Sequence, residues 1–254
     1  MKLEKILSWL DKTLKVADFD DASNNGLQID RFATPTQNLN TSKPQTITPV
    51  AFAVDASVRA VEAAAKAGAQ LLVVHHGISW GGGIRRIEGG IGNVIRAAMK
   101  ANLAIAAYHL PLDAHPTLGN NAQLAKLLGL RRVKPAFSYH GNVIGLVGEG
   151  LRYRVIEGLR SLGCSDQLKT SNALTLGLCS GGAGEFAEEA KKLGCDLYVT
   201  GEASWGDVIA AENCAMKMIC AGHYETEVFG VRALAQEMKR ALKLHTIDLT
   251  KALK

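Results

Sequence analysis

Seven side chains able to hold a divalent cation stand at the ends of apolar runs in this sequence. His75 and His76 follow LLVV, His109 and Asp113 follow LAIAAY, Glu202 follows LYVTG, and His223 and Glu227 follow KMICAG. Imidazole and carboxylate without thiolate suit zinc, iron, manganese or nickel better than a structural cysteine-type zinc site. In open α/β sheets, ligands bind beyond the carboxyl ends of the strands, which is where these residues collect. Successive strand side chains point to opposite faces, so His75 and His76 are expected to serve different ions, or one ion after a turn that Gly77 permits. His109/Asp113 and His223/Glu227 share an i, i+4 spacing that a helix would set on one face. The expectation is instead that each histidine closes a strand and each carboxylate opens the next helix, with Thr226 as N-cap before Glu227. A carboxylate so placed can bridge two ions about 3.5–4 Å apart, the separation of two-metal hydrolytic sites.

Other chemistries have weaker signals. The pentad GISWG, residues 77–81, has the pattern of a serine nucleophile elbow, and Ser79, Asp113 and His223 fall in the matching chain order. An elbow serine must open a helix, however, and GGGIRRIEGG is a poor helix former. The stretch SGGAGEF, 180–186, could seat an anion but lacks the third glycine of a dinucleotide fingerprint and reads as a tight turn. The five cysteines form no C-x-x-C pair and stand in apolar contexts, as reduced, buried thiols would.

The elements that must position these residues follow from periodicity. Runs AFAVDA, LLVVHH, LAIAAYH, VIGLVGEG, LTLGLCS, LYVTG and KMICAGH alternate with amphipathic stretches such as VRAVEAAAKAG, NNAQLAKLLG, EFAEEAKKLG and EVFGVRALAQEMKRALK. That alternation predicts α/β architecture, sheets covered by helices. Residues 33–48, without apolar period, read as a long loop. The chain also repeats itself. Lys66-Ala67-Gly68 before Leu71 aligns with Lys192-Leu193-Gly194 before Leu197, and Ser79-Trp80-Gly81 falls on Ser204-Trp205-Gly206. Residues 94–113 then match 208–227, pairing His109 with His223 and Asp113 with Glu227. Two copies of one helix-strand-helix-strand unit are expected.

At 254 residues and 47% hydrophobic, the chain can bury a full core. The absence of an 18-residue apolar run, and an amphipathic rather than secretory start, lead us to expect a cytoplasmic protein without a membrane partner. A formal charge of +5 makes a small anionic substrate plausible, with Arg85 and Arg86 able to hold phosphates. Scattered basic residues and an aromatic content of 6% give nucleic acid only weak support.

These motifs together resemble one family, the NIF-three-like dinuclear-metal-centre hexamers often labelled GTP cyclohydrolase type 2 homologues. The resemblance runs nearly end to end, through Asn24-Asn25-Gly26-Leu27-Gln28, VVHHG, His109-Leu-Pro-Leu-Asp113, Gly119-Asn120-Asn121, Val199-Thr200-Gly201-Glu202 and Gly222-His223-Tyr-Glu-Thr-Glu227. It implies two divalent metal ions per subunit, held by His75, His76, Asp113, His223 and Glu227, with Glu227 as bridge. His109 and Glu202 would lie close by as supporting or proton-transfer residues. It further implies two intertwined, similar α/β repeats with mixed sheets covered by helices, and a toroidal homohexamer. The expected division is 1–128 with 229–254 against 129–228, the metal site between them. Two functions follow: a metal-dependent hydrolase, cyclohydrolase-like or phosphoesterase-like, acting on a nucleotide-like or other small substrate; or a non-catalytic metal-binding ring with a regulatory, metal-handling or nucleic-acid-associated role.

Overall fold

The computed structural model describes residues 1–31, 46–164 and 172–254. Most of the expected 33–48 loop lies outside the described residues. The chain divides into two compact units, Met1–Leu112 with Val231–Lys254, and Asp113–Gly230. The first crossing falls earlier than residue 128. The reason is helix α5, Asn120–Leu127: its Leu124 and Ala125, with Leu128 beyond it, pack among Leu174, Leu176 and Leu197 of the second unit's core.

The first unit begins with α1 (Leu3–Leu14), whose Leu3, Ile6, Leu10 and Leu14 recur at helical spacing and are buried. Its sheet contains β1 (Gly26–Ile29), β2 (Val50–Asp55), β3 (Leu71–His76), β4 (Ala104–Ala107) and β10 (Thr246–Asp248), in the order β1-β4-β3-β2-β10. All neighbours are parallel except β1, which runs antiparallel to β4. Parallel strands are buried on both faces, which explains the near-continuous apolar runs in β2 to β4. Helices α2 (Val58–Lys66) and α3 (Gly89–Ala101) contribute Ala60, Val61, Ala64, Val94 and Ala98 to a core with Ala51, Leu72 and Ile105. Ser57 caps α2 by accepting from the Ala60 amide at 3.1 Å.

The second unit has the sheet order β5-β6-β7-β8-β9. Strands β5 (Arg131–Tyr139) and β6 (Asn142–Leu151) form an antiparallel hairpin turning at His140 and Gly141, both at positive φ as a two-residue hairpin turn requires. Strand β7 (Ala173–Gly182) pairs antiparallel with β6, while β8 (Leu197–Glu202) and β9 (Met218–Cys220) continue in parallel. Helices α6 (Arg152–Ser161), α7 (Ala187–Lys192) and α8 (Trp205–Asn213) complete it, α8 opening with a Ser204/Asp207 capping box.

The fold is thus α/β with two mixed sheets, as expected. The internal repeat has a structural counterpart: α2 ends at Lys66 and α7 at Lys192, each is followed by a glycine at positive φ (Gly68, Gly194), and β3 and β8 then begin at Leu71 and Leu197. Strand β5 carries Arg131, Arg132, Lys134 and Pro135, so no apolar alternation announces it; as an edge strand it tolerates both charge and proline. Among the described residues, no helix is long and apolar enough to cross a membrane.

Candidate metal centre

The first unit gathers three imidazoles. His75 and His76 end β3, and His109 follows β4, two residues beyond its last residue, Ala107. Ring centroids are 4.6 Å apart for His75/His76, 5.0 Å for His75/His109 and 5.7 Å for His76/His109. One ligand atom from each ring lies within 4.8 Å of the others, so the adjacent histidines serve one locality rather than separate faces. His75 is fully buried and His76 partly so.

Each ring engages an oxygen acceptor through Nδ1: His75 the Tyr108 carbonyl at 3.0 Å, His76 the Asp55 carboxylate at 2.8 Å, and His109 the Asp21 carboxylate at 2.9 Å. A carbonyl or carboxylate accepts only, so Nδ1 carries the proton in each neutral ring and the lone pair sits on Nε2. This is the outer arrangement that orients imidazoles towards a metal. Asp21 does more than hold one ring. Its side chain is 2% exposed and also accepts from the amides of Ser23 and Leu110 and from Asn25 Nδ2, each at 2.9 Å. Burial pushes its carboxyl upwards, but the bonds and charge of His109, with those from Asn25 and Ser23, outweigh it and hold the pKa at about 2.

The Asn24–Gln28 segment acts as a buckle. Asn25 Oδ1 accepts the His109 amide at 2.7 Å, and Gln28 Oε1 accepts the amides of Ile78 and Ser79 at 2.7 and 3.2 Å. A side chain on Gly77 would collide with the Gln28 amide, which explains the glycine after the histidine pair. Ser79 lies in this turn with Oγ accepting from Asn24 Nδ2 at 2.8 Å, and the next helix begins only at Gly89. It therefore lacks the helix an elbow needs.

The second unit carries the acidic donors. Asp113 ends the single turn α4 (Leu110–Asp113), and its Oδ1 accepts from Asn120 Nδ2 at 2.8 Å and Ser180 Oγ at 3.1 Å. Asn120 Oδ1 accepts the Gly230 amide at 2.8 Å, and Asn121 Oδ1 accepts the Ser180 amide at 2.7 Å. Both asparagines are buried, so Asp113 is fixed by a satisfied polar network.

Helix α9, His223–Leu242, starts at His223 itself. This corrects the expected division of labour: His223 opens a helix, Asp113 closes one, and Thr226 is internal, donating from Oγ1 to the His223 carbonyl at 2.9 Å. His223 and Glu227 consequently do share a helix face, with Nε2 3.3 Å from Glu227 Oε1, while Nδ1 lies 3.0 Å from Glu202 Oε1. The hydrogen bond to Glu227 is the main reason the His223 pKa rises from 6.5 to about 9; burial opposes it, while the charge of Glu227 and the bond and charge of Glu202 add to it. Glu227 is buried, whereas the Glu202 side chain is 63% exposed.

Gly181, at φ +67°, brings the end of β7 against this pair. Its amide donates to Thr226 Oγ1 at 3.1 Å, and a methyl group here would strike Glu227 Oε1. Sequence reasoning missed Asp21, Asp55, Ser180 and Gly181. The SGG run was the visible signal for the last two, and it marks close approach to the Glu227 carboxylate.

The donor chemistry of both units fits divalent cations. Oriented imidazoles in one and fixed or buried carboxylates with a histidine in the other match borderline metals with nitrogen and oxygen ligands. The profile of the Duf34/NIF3 (NGG1p interacting factor 3) family matches residues 1–252. The GTP cyclohydrolase 1 type 2 homolog of Pyrococcus horikoshii is 36% identical over 256 residues, covering 97% of each chain. That of Deinococcus radiodurans is 37% identical over 248 residues, covering 93% of this chain and 88% of its own. Among solved structures, TTHA1606 from Thermus thermophilus superposes with a TM-score of 0.79 at 30% identity, covering 98% of both chains. With one profile spanning almost the whole sequence and relatives above 30% identity end to end, the chain belongs to the Duf34/NIF3 family.

Proposed function

We propose that this protein is a metal-dependent hydrolase in which His75, His76, Asp113, His223 and Glu227 together hold two divalent cations. The observation that carries this is the common orientation of the three imidazoles, each fixed through Nδ1 by an oxygen acceptor. A fold that only needed to bury histidines would not require the same ring nitrogen to be tied three times. Bound cations would supply Lewis-acid activation of water and of the bond under attack.

The chain's own residues supply the remainder. Glu202, exposed and 3.0 Å from His223 Nδ1, is placed to pass a proton between the site and solvent. His109, its Nδ1 tied to Asp21, offers Nε2 as a second proton carrier. Arg85 and Arg86, both exposed on the loop after Trp80, supply cationic groups for an anionic substrate. The name that the relatives carry, GTP cyclohydrolase 1 type 2 homolog, points to cyclohydrolase-like chemistry on a nucleotide-like compound, with phosphoester hydrolysis as the nearest other reaction. A cytoplasmic homohexamer forms part of the same reading, and light scattering tests the assembly.

The deciding experiment is turnover of metal-loaded protein on a panel of nucleotides and phosphoesters, compared with Glu202→Gln. Metal-dependent turnover that collapses in the variant supports the hydrolase. Full metal occupancy without turnover of any compound refutes it and favours a metal-handling or regulatory ring.

A further inference from the structure

Trp80 is unusual among the described aromatic residues of the first unit. It lies outside the core, 38% exposed, yet its indole is held firmly beside the imidazoles. Nε1 donates to the Gly77 carbonyl at 3.0 Å. The ring meets His109 edge-on with centroids 5.0 Å apart, and the His76 centroid lies 6.2 Å away. The turn that carries it is pinned from both sides: Gln28 Oε1 receives the Ile78 and Ser79 amides, the Asn24 amide donates to the Ser79 carbonyl at 3.1 Å, and the Gly81 amide donates to the Ala22 carbonyl at 2.6 Å.

Covering a core does not explain this placement, because a large apolar ring left partly in water forgoes part of the burial that stabilises it. A fixed, accessible indole next to a ligand-binding cluster has the properties of a stacking surface: rigid, flat, and already ordered before the ligand arrives. Charge narrows what can lie on it. Indole faces also attract cations, but Arg85 folds back over Gly82, with Nη2 4.0 Å from where a Gly82 Cβ would stand, and the proposed metal site adds further positive charge. A guanidinium on the turn that carries the indole favours a ligand with a negative group. A neutral planar ring attached to an anionic group satisfies both the indole and the arginine.

We propose that Trp80 is a substrate-positioning residue on which a planar heteroaromatic ring of the ligand stacks beside His76 and His109, the ligand's anionic group being held by the Arg85 loop. This rests on the functional reading above, since it takes the three-imidazole cluster as the place where the ligand reacts. It goes further in naming the residue on which the ligand's ring stacks. Stacking tolerates different bases, because every base has a π face.

The test is calorimetric titration of the metal-loaded full chain with guanosine 5′-monophosphate, uridine 5′-monophosphate and ribose 5-phosphate. Wild type, Trp80→Phe and Trp80→Leu are compared, and metal content is measured in each. Base stacking predicts that both nucleotides bind wild type about 5- to 150-fold more tightly than ribose 5-phosphate. Trp80→Phe keeps part of that preference and Trp80→Leu loses it, all at unchanged metal content. Equal binding of the three compounds, no binding of either nucleotide, or a preference that survives in Trp80→Leu overturns the proposal. A fall in metal content that accounts for the lost binding also overturns it, because the indole would then only buttress the imidazoles. Nucleotides bound through Trp80 but never turned over would refute the hydrolase and leave the stacking surface standing.

Discussion

Replacing Gly181 by alanine separates the cost of a strained backbone from the cost of displacing Glu227, a ligand in the proposed metal site. The residue sits at φ +67°, where an L side chain costs about 1–2 kcal/mol. For a chain of this size that lowers Tm by roughly 2–8 °C. The added methyl would strike Glu227 Oε1 and stand 3.4 Å from His223 Nε2. Glu227 is buried on α9 and cannot swing into solvent, so its carboxylate must leave its present rotamer. Disturbing the surroundings of a ligand typically weakens metal binding about 10- to 100-fold, which is the expected loss here. Gly194→Ala provides the control: φ is +77°, but nothing lies within 4 Å of the added carbon. It should share the thermal loss and bind metal like wild type. Titration of metal-free protein with zinc and manganese, alongside thermal melts of both variants, reads the two quantities separately. If Gly181→Ala binds both metals as tightly as Gly194→Ala does, the assignment of Glu227 as a ligand is wrong.

Further outcomes follow from two titrating groups. His223, with its pKa raised to about 9, carries a proton at neutral pH in metal-free protein, and coordination through Nε2 must displace it. Metal affinity should therefore rise about tenfold per pH unit between roughly 6.5 and 9, with close to one proton released near pH 7.5; calorimetry in buffers of different ionisation enthalpy measures it, and His223→Gln should abolish the release. Without metal, the same pair contributes stability that is complete below pH 6.5 and is lost as pH rises through about 9. Asp21 has the opposite sign: its pKa is depressed from 3.8 to about 2, so its contribution is present above pH 3.8 and disappears as pH falls through 2. Asp21→Asn should cost on the order of 2 kcal/mol in urea unfolding at pH 7, and loss of stability without any change in metal affinity would show that its hold on His109 does not matter to the site.

Much of this protein is fixed by its local sequence pattern. Apolar runs of strand length marked β2, β3, β4, β6, β7, β8 and β9; in β2, β3, β4 and β8 the run is nearly unbroken because parallel strands buried on both faces must be apolar throughout. The repeat was visible because both copies solve the same packing problem with a helix, a glycine and a strand at identical spacing. The donor residues were legible by type and by their position at strand ends. Periodicity could not decide whether His223 closes a strand or opens a helix, since a histidine three residues beyond β9 suits either; the observed α9 settles it and places Glu227 on the same face.

The partners of those donors belong to tertiary structure alone. Asp21 reaches His109 across 88 residues, Ser180 reaches Asp113 across 67, and Gln28 reaches Ile78 across 50. Such contacts are single hydrogen bonds between loops and strand ends, so they leave no period in the chain and no composition to recognise. The sequence by itself determined which atoms could hold a metal. Only the folded chain decided which nitrogen each imidazole presents, because that depends on an oxygen brought up from a distant segment.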